Sequence, residues 1–285
     1  MRSTHYITIT AGVVVIAIMY FFGNTIPPEK KAEGMPNSSQ PQRPGGMTRV
    51  KSLPFDSILS NSKLQLTKGK AEELKTIENE LLTIHDSTGM VSSFLHIGEF
   101  WKATGDTKIS AYYNGLAAKL ENSEKKLTFA ARIFLELMQQ ENIQAVQMWE
   151  AEQAVNLAES SFKLDSGNED TKLALATGYI EGVGEPMKGV QILLGIVRQK
   201  PDDIPANLLL GQMSVQSGQF DKAIGRFETV LKQDSLNKEA IYYLAEAYKG
   251  KGEKKKAIEL LEKCKLIVND KEFSNKADQE INSLK

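Results

Sequence analysis

Three histidines, one cysteine and a few clustered glycines are the residues from which chemistry could be built in this chain. None stands in a pattern that performs it. His96 and Glu99 share a helix face at a spacing of three, yet no second histidine completes a metal-binding pair. His85 precedes Asp86 in a turn-like stretch, where a solvated ring or a helix cap is the plainer reading. Cys264 is alone, which excludes an internal disulfide and any Cys-clustered zinc site. It falls where a helix packs on its neighbour, so it reads as a small buried hydrophobe and not as a nucleophile. Gly182-x-Gly184 with Gly189 follows no strand, and a dinucleotide cradle needs strand, turn and helix in that order. Gly69-Lys70 lacks the Ser or Thr that completes a phosphate-binding loop. Lys254-Lys255-Lys256 reads as a solvated helix face, and Trp101 and Trp149 as core. The expectation is no catalytic residue, no cofactor, no metal and no enzyme. With 35 basic against 36 acidic residues among 285, the net charge of −1 gives no support to a nucleic-acid surface.

The elements that could position a binding site begin at a membrane. No fully charged residue lies between Arg2 and Glu29, and Ile7 to Phe22 is apolar throughout save for Thr8, Thr10 and Gly12. A helix over residues 6–26 reaches ~30 Å, enough for the hydrocarbon layer. Tyr20, Phe21 and Phe22 then fall at the headgroup boundary. The run is long and no Ala-x-Ala-like site follows Phe22, so an uncleaved anchor is expected over a cleaved signal peptide. Arg2 precedes the span while Lys30 and Lys31 follow it, a count that leans against export. Long soluble domains translocate largely regardless of such charge, so an exported carboxyl domain is expected. Residues 27–60 hold Pro27, Pro28, Pro36, Pro41 and Pro44 among Gly, Ser, Asn and Gln, and read as a disordered tether.

Beyond the tether the chain repeats itself every 34 residues. Gly184, Gly218 and Gly252 coincide, as do Gly189, Ala223 and Ala257, and Leu193, Phe227 and Leu261. Units 170–203, 204–237 and 238–271 follow without a gap, each spelling a helix, a glycine turn and a second helix. Gly218 stands where the first helix needs a left-handed residue to stop, Gly211 and Ala223 where two helices approach closely, and Phe227 in the wedge between hairpins. Residues 61–169 carry the same grammar in degraded form, with hairpins over 94–121 and 124–164 and a first helix from about Leu66. Residues 272–285 read as a polar helix that caps the stack.

Leu210-Gly211, Gly218-x-Phe220-x-x-Ala223-Ile224-x-x-Phe227 and the matching run from Leu244 to Leu261 resemble the tetratricopeptide repeat (TPR) family. The resemblance implies an all-α, TPR-like α-solenoid of helical hairpins, here preceded by one transmembrane helix and a disordered linker. In that family the first helix of each hairpin lines a concave groove that holds peptide segments. Carried onto this chain, the groove positions are Ala174, Gly178 and Glu181, then Leu208, Gln212, Val215 and Gln216, then Tyr242, Glu246 and Lys249. The Lys and Asn clamp with which the family's heat-shock-chaperone binders hold a terminal carboxylate is missing from these positions. An extended or helical segment with apolar side chains fits better. The expected role is a scaffold or adaptor of a bacterial inner membrane, with a protein or peptide partner. A holdase-type chaperone associated with secretion or cytochrome maturation is the alternative. A terminal helix or a second copy of the chain are rival occupants of the groove.

Overall fold

The computed structural model describes residues 51–285, so the expected span over 6–26 and the tether as far as residue 50 lie outside the described residues. Thirteen α-helices and one π turn make up the described chain, and no strand occurs among its residues. No helix among them is long and apolar enough to cross a membrane. The array opens with α1 (Phe55–Leu64) and α2 (Lys68–Leu82). Two hairpins follow, α3 (Ser87–Ala103) with α4 (Thr107–Leu120), and α5 (Glu124–Gln140) with α6 (Gln144–Leu164). Next come α7 (Glu169–Thr177) with α8 (Pro186–Gln199), α9 (Ile204–Gln216) with α10 (Phe220–Gln233), and α11 (Lys238–Gly250) with α12 (Lys254–Val268). Helix α13 (Lys271–Leu284) closes the stack.

Local chemistry explains the boundaries. Asp86, Asp106, Asn168, Asp203, Asn237 and Asp270 each precede a helix and accept a hydrogen bond from a backbone N–H three residues on. The Asp86 cap, 2.8 Å from the Gly89 nitrogen, starts α3 at Ser87, seven residues before the expected hairpin. At the other end of a helix, Gly218 has φ +71° and ends α9. There the Gln219 N–H reaches back to the Ser214 carbonyl at 2.8 Å and the Gly218 N–H to that of Val215 at 3.0 Å, satisfying carbonyls that the helix leaves open.

The hydrophobic core is a chain of clusters, as a stack of hairpins with neighbour-only burial requires. Phe227 on α10 is fully buried between α9 and α11 and lies parallel to the Tyr243 ring at 6.0 Å. A Cβ on Gly211 would stand 2.5 Å from its Cε1, so only glycine admits the ring there. Burying such a side chain stabilises the stack by roughly 1.5–3 kcal/mol.

Three features differ from expectation. Leu53 donates its N–H to the Ala145 carbonyl at 3.2 Å, and α1 begins within the 27–60 stretch read as tether. The Phe55 ring stacks on Tyr112 at 3.7 Å and faces Trp149 at 5.9 Å, so a short apolar signal finds an aromatic well and folds. The first helix of unit 170–203 is not α-helical throughout: beyond Thr177 it widens into the π turn Gly178–Gly182. A Cβ on Gly182 would come within 2.6 Å of the Ala151 Cβ, which shows how closely this turn rides on α6. Finally, α5, α6 and α7 are joined by a buried knot of hydroxyls. The Thr128 oxygen lies 2.8 Å from that of Ser161 and 2.6 Å from that of Thr171, whose hydroxyl donates to Glu124 Oε1 at 3.1 Å.

Candidate partner-binding groove

The first helices of successive hairpins lie side by side and present one continuous face. Polar side chains bridge it from helix to helix. Gln139 on α5 donates through Nε2 to Glu181 in the π turn at 3.3 Å. Gln212 on α9 donates to Glu239 on α11 at 2.6 Å. Glu181 is solvent-exposed, yet the protein packed around its carboxyl raises its pKa through desolvation against the lowering pull of Gln139.

Leu208 and Val215 are half-buried and rest on the cluster around Phe227, leaving part of each apolar surface open. Gln216 is exposed at the end of α9. Ala174 and Gly178 are buried, the latter with a virtual Cβ only 2.8 Å from Val155, so neither offers a side chain to a ligand.

The other three positions face a different neighbour. The Tyr242 ring meets Phe273 of α13 edge-on at 6.1 Å. Lys249 pairs with Glu246 at 2.6 Å and also with Glu280 of α13. Desolvation favours the neutral amine, but the two carboxylates outweigh it and raise the Lys249 pKa. Burial first, and the nearby Glu280 next, raise that of Glu246. The closing helix therefore covers the end of the face at Tyr242, Glu246 and Lys249, while Glu181, Leu208, Gln212, Val215 and Gln216 remain beside one another on the preceding helices.

Sequence reasoning missed Gln139, Glu239 and Tyr243. Tyr243 is half-buried; desolvation first, then the charges of Glu239, Glu181 and Glu246, raise its pKa, which puts its hydroxyl among the carboxylates of this face. Adjacent tyrosines on one helix point about 100° apart, and choosing between Tyr242 and Tyr243 requires knowing where α13 sits. Glu239 carried a signal, since it stands where the hairpin's first turn meets the preceding helix.

Residues 214–274 match the tetratricopeptide repeat family model. The matched segment runs from the end of α9 through α12 into α13. No curated protein matches the chain. Among solved structures, it is 19% identical to YrrB, a TPR protein with an unusual peptide-binding site, over 66% of this chain and 91% of that one, with a TM-score of 0.46. It is 17% identical to MamA protein over 62% of this chain and 91% of that one, TM-score 0.49. A tetratricopeptide repeat protein from Parabacteroides merdae ATCC 43184 is 16% identical over 81% of this chain and 90% of that one, TM-score 0.49.

Proposed function

We propose that this protein is a scaffold that holds a polypeptide segment along the face formed by the π turn, α9 and α11, and that residues 6–26 tether it to a bacterial inner membrane with the repeats exported. The observation that carries the reading is the run of half-open apolar side chains, Leu208 and Val215, flanked by the carboxylates of Glu181 and Glu239. Apolar side chains of a bound segment cover the former, and its basic side chains face the latter. Helix α13 bounds the groove at its carboxyl end, so the segment lies toward α5 and the π turn and not across Tyr242.

The test is recovery of the partner after crosslinking in intact membranes, with the wild-type chain and with Leu208→Asp, Val215→Asp and the double variant. Loss of the crosslinked partner with helicity unchanged by circular dichroism is the expected result. Equal recovery from the double variant would remove the groove from consideration. A partner recovered as a broad set of unfolded clients, with suppression of their aggregation in a dose series, would favour a holdase over a scaffold. Protease protection in spheroplasts reads the sidedness directly.

A further inference from the structure

A second site lies on the opposite side of α9. At 100° per residue, Asn207, Leu210, Met213 and Ser214 face away from Leu208, Gln212 and Val215. With them as its floor, and α8 and α10 as its walls, a cleft of about 550 Å³ runs along the outer surface between the second helices of two successive hairpins. Met187 and Leu194 stand on one wall with 67% and 41% of their surfaces exposed. On the other wall Gly225 leaves a gap: a Cβ built there meets nothing within 4 Å.

The cleft carries one built polar feature. Asn207 is 99% buried, and its Nδ2 donates to the carbonyls of Pro201 at 3.0 Å and Asp203 at 2.8 Å. Both amide protons are thus spent, which fixes the direction of its Oδ1. That oxygen accepts from Arg226 Nη1 at 2.9 Å and holds the guanidinium in the cleft. Arg226 is half-buried and pairs with no carboxylate among the described residues, and desolvation alone accounts for its lowered pKa. Its remaining N–H donors therefore lack an anionic acceptor. Of the other charges at the cleft, Asp221 pairs with Lys251 at 2.7 Å and Lys222 donates to Gln219 at 2.6 Å.

We infer that this outer cleft docks a partner polypeptide through an acidic side chain flanked by bulky aliphatic ones, the carboxylate forking onto Arg226 and the aliphatic groups lying between Met187, Leu194 and Leu210. A carboxylate is the anion that a guanidinium pairs with bidentately. The exposed walls decide between a polypeptide and a free aliphatic acid. Small-ligand sites bury most of their ligand, whereas this cleft leaves one side of its occupant to be covered by the occupant's own chain.

The experiment uses the full-length protein in lipid nanodiscs, where no free detergent competes, and a fluorescent blocked peptide, Leu-Leu-Glu-Leu-Leu, read by anisotropy. The Gln analogue of the peptide and sodium octanoate are the comparison ligands. The Glu peptide is expected to bind about tenfold or more tightly than its Gln analogue, the range of a charge-assisted hydrogen bond lost. Arg226→Gln erases that preference. Gly225→Trp, which fills the gap and leaves the Arg226 and Asn207 side chains in the sequence, abolishes binding of both peptides with circular dichroism unchanged. Leu208→Asp leaves all of these values in place, so failure of the inner groove and failure of the outer cleft are told apart. Equal binding of the Glu and Gln peptides to the wild type, a preference that survives Arg226→Gln, or octanoate competing as well as the peptide would each overturn the assignment.

Discussion

Glu150 is the most instructive residue to perturb. It sits in the middle of α6, 1% exposed, with no hydrogen-bond partner for its Oε2. Desolvation, reinforced by the charges of Glu141 and Asp106 and only partly opposed by Lys108, pushes its pKa to about 7. In the unfolded chain it titrates near 4.5. The folded state therefore holds a proton that the unfolded state releases between those two values. This contribution to stability is complete below about pH 4.5, declines as the pH rises, and is lost as the pH passes through 7. At ~1.4 kcal/mol per pH unit of separation, the deprotonated side chain makes the fold about 3 kcal/mol less stable at pH 8 than at pH 4.

Glu150→Gln keeps the volume and removes the titration. Its amide carries a desolvation cost of its own, but that cost does not depend on pH, so the gap between variant and wild type isolates the carboxyl. Between pH 5 and pH 8 the gap should shift by roughly 2–3 kcal/mol in favour of the variant. Denaturant unfolding followed by tryptophan fluorescence measures it, because Trp101 and Trp149 are the protein's two tryptophans, both are buried in the same cluster, and Trp149 is next to Glu150 in sequence. A gap that stays constant across that pH range would refute the reasoning, and would mean that Glu150 is ionised and solvated in the folded protein.

Two further perturbations probe the scaffold. Gly218→Ala puts a Cβ on a residue at φ +71° with no clash to meet it, so its cost of roughly 1 kcal/mol is backbone strain alone, and thermal unfolding should show a drop of a few degrees. Thr171→Val removes the hydroxyl that donates to Glu124 and touches Thr128, leaving buried polar atoms short of a partner. It should cost about 1–3 kcal/mol, and hydrogen exchange should rise first at the start of α7; protection unchanged there would show that the knot bears no weight.

Much of the architecture is legible along the chain because it is local. A helix stops where a left-handed residue is available, which a glycine at Gly218 announces in one dimension. Gly211 and Phe227 sit sixteen residues apart in one hairpin, so the fit between them is also written at short range. The groove positions expected on α9 come from the family resemblance, and helical periodicity adds only that Leu208, Gln212, Val215 and Gln216 share one face of that helix. Elsewhere the deciding partner lies far off in sequence. Phe55 folds α1 because Tyr112 and Trp149 form a well for it, and nothing near residue 55 reveals that. Tyr242 is turned from a groove residue into a capped one by Phe273, and Lys249 by Glu280. The burial of Glu150 and the outer cleft at Arg226 arise only when neighbouring hairpins stack, since each is built from side chains of more than one hairpin. Periodicity and turn residues determine which hairpins form, because those forces act within about one helical turn. Desolvation and charge pairing depend on what surrounds a side chain in three dimensions, and that was settled by the stacking alone.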